Sequence, residues 1–177
     1  MAALLFLAFA YFAVGQASVA RNGAQTAADA AALAAAREAR DGIRDEFLAA
    51  LEAGDLDALK DLLDGDGIDG AGACAAAGDY ADDNHAEVTS CPGVNTPLNY
   101  AVGVRALDSV GKSVVKGTEA VFATAKATAV VDPLCVVDHK DGDAIVFTCE
   151  DGEQTVDPTA AGFELQLSEF FSVHLSE

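Results

Sequence analysis

The hydrophobic pattern at the start of the chain predicts one long helix. Residues 1–20 contain no charged side chain, and an alanine-rich segment follows them without a break. Residues 27–36 hold eight Ala, one Leu and one Asp, a composition close to the maximal helix propensity. We predict a helix over residues 1–53, about 80 Å long at ~1.5 Å per residue. Its weak points are Gly15, Gly23 and Gly42, and Gly54 is its expected stop.

The next segment predicts a short helix and then a loop. Asp55 is in position to cap a helix that ends at Gly65. Its Leu residues share one apolar face; they are Leu56, Leu59, Leu62 and Leu63. Residues 64–97 are rich in Gly, Asp and Ala and predict a long loop.

The second half of the chain has the period of two that is typical of strands. Leu98, Tyr100, Val102 and Val104 alternate with polar or small residues, and residues 119–131 form another such run. Residues 134–138 and 144–149 flank a hairpin signal, for which we expect a three-residue loop at 141–143 that brings Cys135 opposite Cys149. The cleanest alternation covers residues 163–175. The inward positions there are Phe163, Leu165, Leu167, Phe171, Val173 and Leu175.

These elements predict an α+β fold. A long N-terminal helix over 1–53 is followed by residues 54–177, which form a short helix and a disulfide-stapled, β-rich head. We expect an antiparallel sheet of four to six strands, packed against the rear half of the long helix.

Charge divides the chain at nearly the same place. Residues 1–44 carry four Arg and three acids, whereas residues 45–177 carry six Lys or Arg and 26 Asp or Glu, a net charge of −20. An acidic surface of this size repels phosphate backbones, which argues against nucleic acid as a partner. It favours a solvated, mutually repulsive head.

Four cysteines lie outside the apolar helix, at Cys74, Cys91, Cys135 and Cys149. An even number fits two disulfides in an oxidising compartment, and three pairings are possible. We favour the sequence-local pairing, 74–91 with 135–149. Four reduced, buried thiols are the alternative.

The uncharged start of the chain is about long enough to cross a bilayer, which needs ~20 residues. Small residues such as Ala8 and Gly15 also let helices approach closely, in lipid or in a dry bundle. A simple membrane anchor is therefore one reading, and a helix that packs against copies of itself is another. The large apolar residues expected to drive that packing are Leu4, Leu5, Phe6, Leu7, Phe9, Tyr11 and Phe12.

The segment RNGAQTAADAAALAAARE, directly after the apolar run, resembles the N-terminal signature of TadE/TadG-like pilus-assembly proteins, pilin-like proteins of the tight-adherence class. The resemblance covers about residues 1–40. The matching positions are Arg21, Gln25, Ala27, Ala28, Asp29, Ala30, Ala31, Ala32 and Leu33. Type IV pilins usually carry a Glu near the mature N-terminus, and residues 1–20 have none.

The resemblance implies a subunit that the bacterial inner membrane holds by its helix before the pilus assembly machinery moves it into an extracellular filament. Its partners would then be copies of itself, and its final location the cell surface. The alternative is a membrane-anchored accessory protein that primes assembly or binds a surface partner without forming the bulk of the fibre.

Charged residues on the long helix are candidates for setting the register between subunits. Asp29 could pair with Arg21 or with Arg37 of a neighbouring copy, or it could be a solvated carboxylate on the polar face. Arg37, Arg40 and Arg44 are spaced i, i+3, i+7 and predict one basic stripe. We also expect an i,i+4 ion pair between Arg37 and Asp41.

Other chemistry is sparse. Asp64, Asp66 and Asp69 alternate with glycines and suggest either a calcium loop or, as we favour, a flexible acidic turn. The chain has no catalytic motif of the serine-hydrolase, zinc-protease or phosphate-loop kind, so we expect no enzyme and no cofactor other than that calcium alternative.

Overall fold

A computed structural model of the chain describes residues 2–68, 70–95, 98–110 and 120–176, with side chains from Leu7 onward except those of residues 93–95. Four helices come first: α1 Ala2–Asp41, α2 Arg44–Ala53, α3 Leu56–Leu63 and α4 Ala73–Asp83. The strands are β1 Ala86–Ser90, β2 Gly93–Asn95, β3 Leu98–Ser109, β4 Phe122–Pro133, β5 Cys135–Asp141, β6 Ala144–Cys149, β7 Gly152–Val156 and β8 Phe171–Leu175. A 3₁₀ helix, Leu167–Glu169, precedes β8. The predicted α+β class is confirmed.

The long helix is interrupted once. The predicted long N-terminal helix is confirmed, and it is interrupted between Asp41 and Arg44 at Gly42, one of its three predicted weak points. The interruption lets Ile43 enter the core together with the buried face of α2. Gly15 and Gly23 do not break the helix.

The junction between α2 and α3 forms as the sequence predicts. Gly54 ends α2 with φ +65°, and its N–H donates back to the carbonyls of the last turn. Asp55 caps α3, because its Oδ1 accepts from the N–H of Ala58 at 3.1 Å.

The prediction of a loop over residues 64–97 is wrong for much of that range. Helix α4 and strands β1 and β2 lie within it. Ala73, Ala77 and Ala81, spaced i, i+4, i+8, form the buried face of α4, and this helix packs against α1. The small size of these residues lets the two helices approach closely, but it gives little hydrophobic signal in sequence.

The main sheet is antiparallel, in the order β1-β3-β4-β8, with β2 also paired to β3. Its strands β3, β4 and β8 contact α1, as predicted, while α4 packs against α1 as well. The alanines of α1 and the sheet residues Val102, Val104, Ala129 and Val131 belong to one hydrophobic core. The rear half of α1 therefore lies within the head.

A second, three-stranded sheet has the order β5-β6-β7. Cys135 lies opposite Cys149, as predicted, although the loop is one residue shorter than expected because Asp141 pairs with Ala144. A register shift between Val137 and His139 restores the expected register at the cysteines. Strand β7 was not predicted.

The C-terminal alternation is only partly a strand. Leu165 and Leu167 are buried at the expected positions, but they precede β8 in irregular and 3₁₀ backbone. The 3₁₀ turn allows two consecutive rings, Phe170 and Phe171, to be buried. They pack with Phe47 of α2, and Phe170 also contacts Phe147 of β6, which ties both sheets to the helices.

Both disulfides have the sequence-local pairing. Cys74–Cys91 joins α4 to the segment that follows β1, and Cys135–Cys149 links β5 to β6. The predicted pairing is thus confirmed, and all four cysteines of the chain are used.

Candidate functional site

The first half of α1 extends away from the head. Between Leu7 and Gly23 no side chain is buried, whereas from Ala24 to the end of the helix at Asp41 half of the residues are. Nine alanines of the rear half, between Ala24 and Ala39, are buried. One continuous helix is therefore anchored in the head at one end and accessible at the other.

The accessible half carries large apolar side chains. Six of the ten exposed large hydrophobic residues described lie there, with exposures from 52% for Leu7 to 79% for Tyr11. The others are Phe9, Phe12, Val14 and Val19. Since an aromatic side chain can bury ~150–250 Å², the three rings alone leave roughly 300–500 Å² of apolar surface in contact with solvent. That already approaches the largest patch of a typical soluble monomer, ~300–600 Å², and such patches mark interaction sites.

Among the residues that the sequence predicts to pack in lipid or in a helix bundle, those described are all exposed: Leu7, Ala8, Phe9, Tyr11, Phe12 and Gly15. Leu4, Leu5 and Phe6 fall in the helix, but their side chains lie outside the described set. From Leu7 onward, no described helix is both long enough and apolar enough to cross a bilayer.

A groove of about 980 Å³ lies where α1 leaves the head. One wall is α1 itself, from Ala8 to Ala24. The opposite wall belongs to the head and consists of the junction between α4 and β1 and the far end of β3. Its residues are Asn84, His85, Ala86, Ala106, Asp108, Ser109 and Val110.

His85 gives this wall its shape. It has φ +57°, the only positive φ of a described residue other than glycine. It directly follows Asn84, the C-terminal cap of α4, and its N–H donates to the carbonyl of Asp82 at 3.0 Å. Its own carbonyl accepts from the N–H of Leu107 at 2.8 Å, which fastens the helix end to β3. Sequence analysis missed the head wall because it missed α4.

The partner of Asp29 within the chain is Gln25. The Gln25 side-chain amide donates to Asp29 Oδ1 at 2.8 Å and lies 3.4 Å from the carbonyl oxygen of Lys126 on β4. Asp29 is half-buried, and its role in setting the register between subunits stays a prediction. Gln25 connects α1 to the sheet at this point.

The predicted basic stripe is not continuous. Arg40 pairs with its neighbour Asp41 at 2.9 Å, the acid that was expected to pair with Arg37. Arg44 lies beyond the helix break, and its guanidinium donates to the carbonyl oxygen of Leu165 at 2.6 Å. Arg44 is therefore a contact within the head, whereas Arg37 stays exposed on α1.

The acidic turn gives no metal centre in the part of the chain that is described. Asp64 is the C-terminal cap of α3, and the N–H of Asp66 donates to the carbonyl of Asp61 at 2.8 Å. Asp69 lies outside the described residues. Within the described ranges, no three His, Cys, Asp or Glu side chains come together as metal ligands would.

Comparison with known proteins supports a link to pilus assembly. The model of the family of putative Flp pilus-assembly TadE/G-like proteins matches residues 1–38, a range that includes the extended half of α1 and most of its buried half. No curated protein and no solved structure matches the chain. The resemblance seen in the sequence is thus confirmed over this N-terminal segment, and it relates the chain to pilus assembly.

Proposed function

We propose that the chain is a structural, pilin-like subunit that polymerises through α1 into an extracellular bacterial filament. The observation that carries this proposal is the contrast between the two halves of α1. One half is fixed in the head by buried alanines, and the other exposes a run of large apolar side chains without any charge.

Such a run is unfavourable in water. Burying one Leu or Phe side chain contributes ~1.5–3 kcal/mol, so a dispersed subunit needs lipid, detergent or other copies around Leu7–Val19. We propose that the uncharged start of the chain holds the subunit at the inner membrane, and that the pilus assembly machinery then transfers it into a bundle of like helices. The acidic heads remain outside, where their charge keeps them solvated.

The charge distribution supports this arrangement. The extended half of α1 has no charged side chain before Arg21, so packing this segment against other helices removes no charged side chain from water. Residues 45–177, by contrast, carry a net charge of −20, which makes the head a poor surface for tight self-association.

The test compares matched substitutions in the full chain. Phe9→Asp and Ala8→Arg each introduce a charge into the exposed half of α1, where bundle formation would bury it. The control, Val136→Asp, changes a residue of the head with similar exposure, 64% against 57% for Phe9. Material sheared from producing cells is examined by electron microscopy, and mass spectrometry identifies the main protein of the fibres.

We expect fibres made mainly of this chain in the wild type and in Val136→Asp, and none in the two helix variants. Normal fibres from Phe9→Asp would refute a role of α1 in the fibre core. If the wild-type chain stays with the membrane, or occurs only in traces among fibres of another protein, it is instead an accessory protein that primes assembly or binds a surface partner.

A further inference from the structure

The groove between α1 and the head suggests how one subunit receives the next. We propose that it binds the N-terminal helix of a second copy, through the face of that helix that points away from its own groove. This inference rests on the proposed function and specifies the contact: helix into groove, in addition to helix against helix.

The extended half of α1 has two distinct faces. At 3.6 residues per turn, the residues that line the groove fall on one side, including Tyr11, Phe12 and Val19. The opposite side carries a second apolar stripe with the spacing i, i+3, i+7, i+10. Its members are Leu7, Ala10, Val14 and Ala17. None of these four lines the groove of its own chain, so the stripe remains accessible.

Charge decides which part of a second copy fits. Of the described residues that line the groove, Asp108 alone carries a formal charge, and most of the others are apolar or small. A second acidic head would bring carboxylates to this wall, where they meet Asp108 and lose water. The stripe from Leu7 to Ala17 brings no charge at all, and it ends one turn before Arg21.

The length of the groove and the glycines of α1 also suit the binding of a second helix. The groove follows α1 from Ala8 to Ala24, about 24 Å at ~1.5 Å per residue, while the stripe from Leu7 to Ala17 needs about 15 Å. An added Cβ at Gly15 or Gly23 would have no atom within 4 Å, so there is open space above both glycines. A second helix can therefore approach α1 to the ~8–10 Å that separates packed helix axes.

The exposed area gives a reason for the contact to form. The rings of Tyr11 and Phe12 stand in the groove at 79% and 65% exposure, so the groove is not filled by its own side chains. A helix laid into it covers these rings and its own Leu7 and Val14 together. Because the groove and the stripe are different surfaces, the contact is heterologous, and repeating it generates an open chain of subunits unless its rotation closes a ring.

Disulfide trapping between two full-length variants tests this contact. Val14→Cys places a thiol on the stripe, and Ala106→Cys places one on the head wall of the groove. The matched control is Leu107→Cys, the next residue of β3, which is exposed but does not line the groove. The four native cysteines are paired, so the introduced thiol is the free one in each variant.

The two variants of each pair are produced together, and the fibres are oxidised and analysed on non-reducing gels. We expect mixed dimers between Val14→Cys and Ala106→Cys, and only background between Val14→Cys and Leu107→Cys. Successive side chains of a strand point to opposite faces, so the thiol at position 107 points away from the groove and is in the wrong direction for a disulfide with a helix in it.

Three results would overturn the inference. Dimers of Val14→Cys with itself, without any link to Ala106→Cys, mean that fibres form through helices alone and that the groove is empty or holds lipid. Equal linking to Ala106→Cys and Leu107→Cys means unspecific contact. Both results leave the proposed function intact. Absence of fibres from the wild-type chain refutes the proposed function and this contact with it.

Discussion

Phe47→Ala tests whether the aromatic cluster fastens the helices to both sheets. Phe47 lies on α2 with 0% exposure, and its ring centroid is 5.0 Å from that of Phe170 and 6.2 Å from that of Phe171. Phe170 in turn contacts Phe147 of β6 at 5.0 Å. The substitution removes the one ring that α2 contributes to these contacts and leaves a cavity between α2, the 3₁₀ helix and β8.

The expected loss follows from this burial. A fully buried Phe replaced by Ala costs ~3–5 kcal/mol, which combines the lost transfer free energy with the cavity that remains. Each aromatic pair contributes ~0.5–1.5 kcal/mol beyond the area that it buries. We therefore expect the upper part of the ~3–5 kcal/mol range if the neighbouring rings do not move into the cavity. Against a total stability of ~5–15 kcal/mol, this is a large fraction. For a chain of this size, the midpoint of thermal unfolding should fall by about 6–20 °C.

The assay is denaturant unfolding of the oxidised full chain in mild detergent, followed by near-ultraviolet circular dichroism because the chain has no Trp. The control is Phe12→Ala, the same substitution at a ring that is 65% exposed; it should change the free energy of unfolding by less than about 0.5 kcal/mol. A loss under about 1 kcal/mol for Phe47→Ala with an unchanged denaturant slope would show that the cluster does not carry this stability.

Three further predictions concern the head, all measured on the same full-length chain. Gly54→Ala should lower the free energy of unfolding by about 1 kcal/mol, because φ is +65° and the added Cβ would meet the Lys140 ammonium group. Gly78→Ala, in open space on α4, should raise it by ~0.5–1 kcal/mol. The direction in which each urea midpoint shifts tests both predictions. Loss of either disulfide should lower the free energy of unfolding by ~3 kcal/mol, since each closes a loop of about 15 residues. The test replaces both cysteines of one disulfide by Ser, and an unchanged urea midpoint would contradict the prediction. The pKa of Asp157 lies below its usual value, because the hydroxyl of Thr159 and, to a lesser extent, its N–H donate to the carboxylate. The contribution of Asp157 to stability is therefore present above its unfolded-state pKa and is lost as the pH falls through its folded-state pKa. Thr159→Val should raise the pKa of Asp157, which an NMR titration measures.

Local chemistry explains which elements could be predicted. The end of α2 at Gly54 and the cap at Asp55 depend on neighbouring residues alone, because a left-handed glycine and a carboxylate cap act within one turn. Helix α4 could not be predicted in the same way. Its alanine face has little hydrophobicity of its own and is stabilised by packing against α1.

The same division holds for the helix break and for the charges on α1. Sequence marked Gly15, Gly23 and Gly42 equally, yet only Gly42 interrupts the helix. At that position Ile43 and Phe47 gain buried positions, whereas no side chain from Leu7 to Gly23 is buried against the head. Arg44 lies beyond the break and donates to the carbonyl of Leu165, so tertiary contacts divide the stripe that helical spacing predicts.

The candidate site was thus half visible in sequence. The absence of charge from residues 1–20 and the large apolar side chains from Leu7 onward determined that the exposure of this segment to water is unfavourable, because the hydrophobic effect depends on composition. Only the tertiary structure decided which part of α1 the chain covers by itself, and that it forms a groove where the helix leaves the head. That groove depends on α4, β1 and β3 meeting at His85, a contact between residues that no local pattern connects.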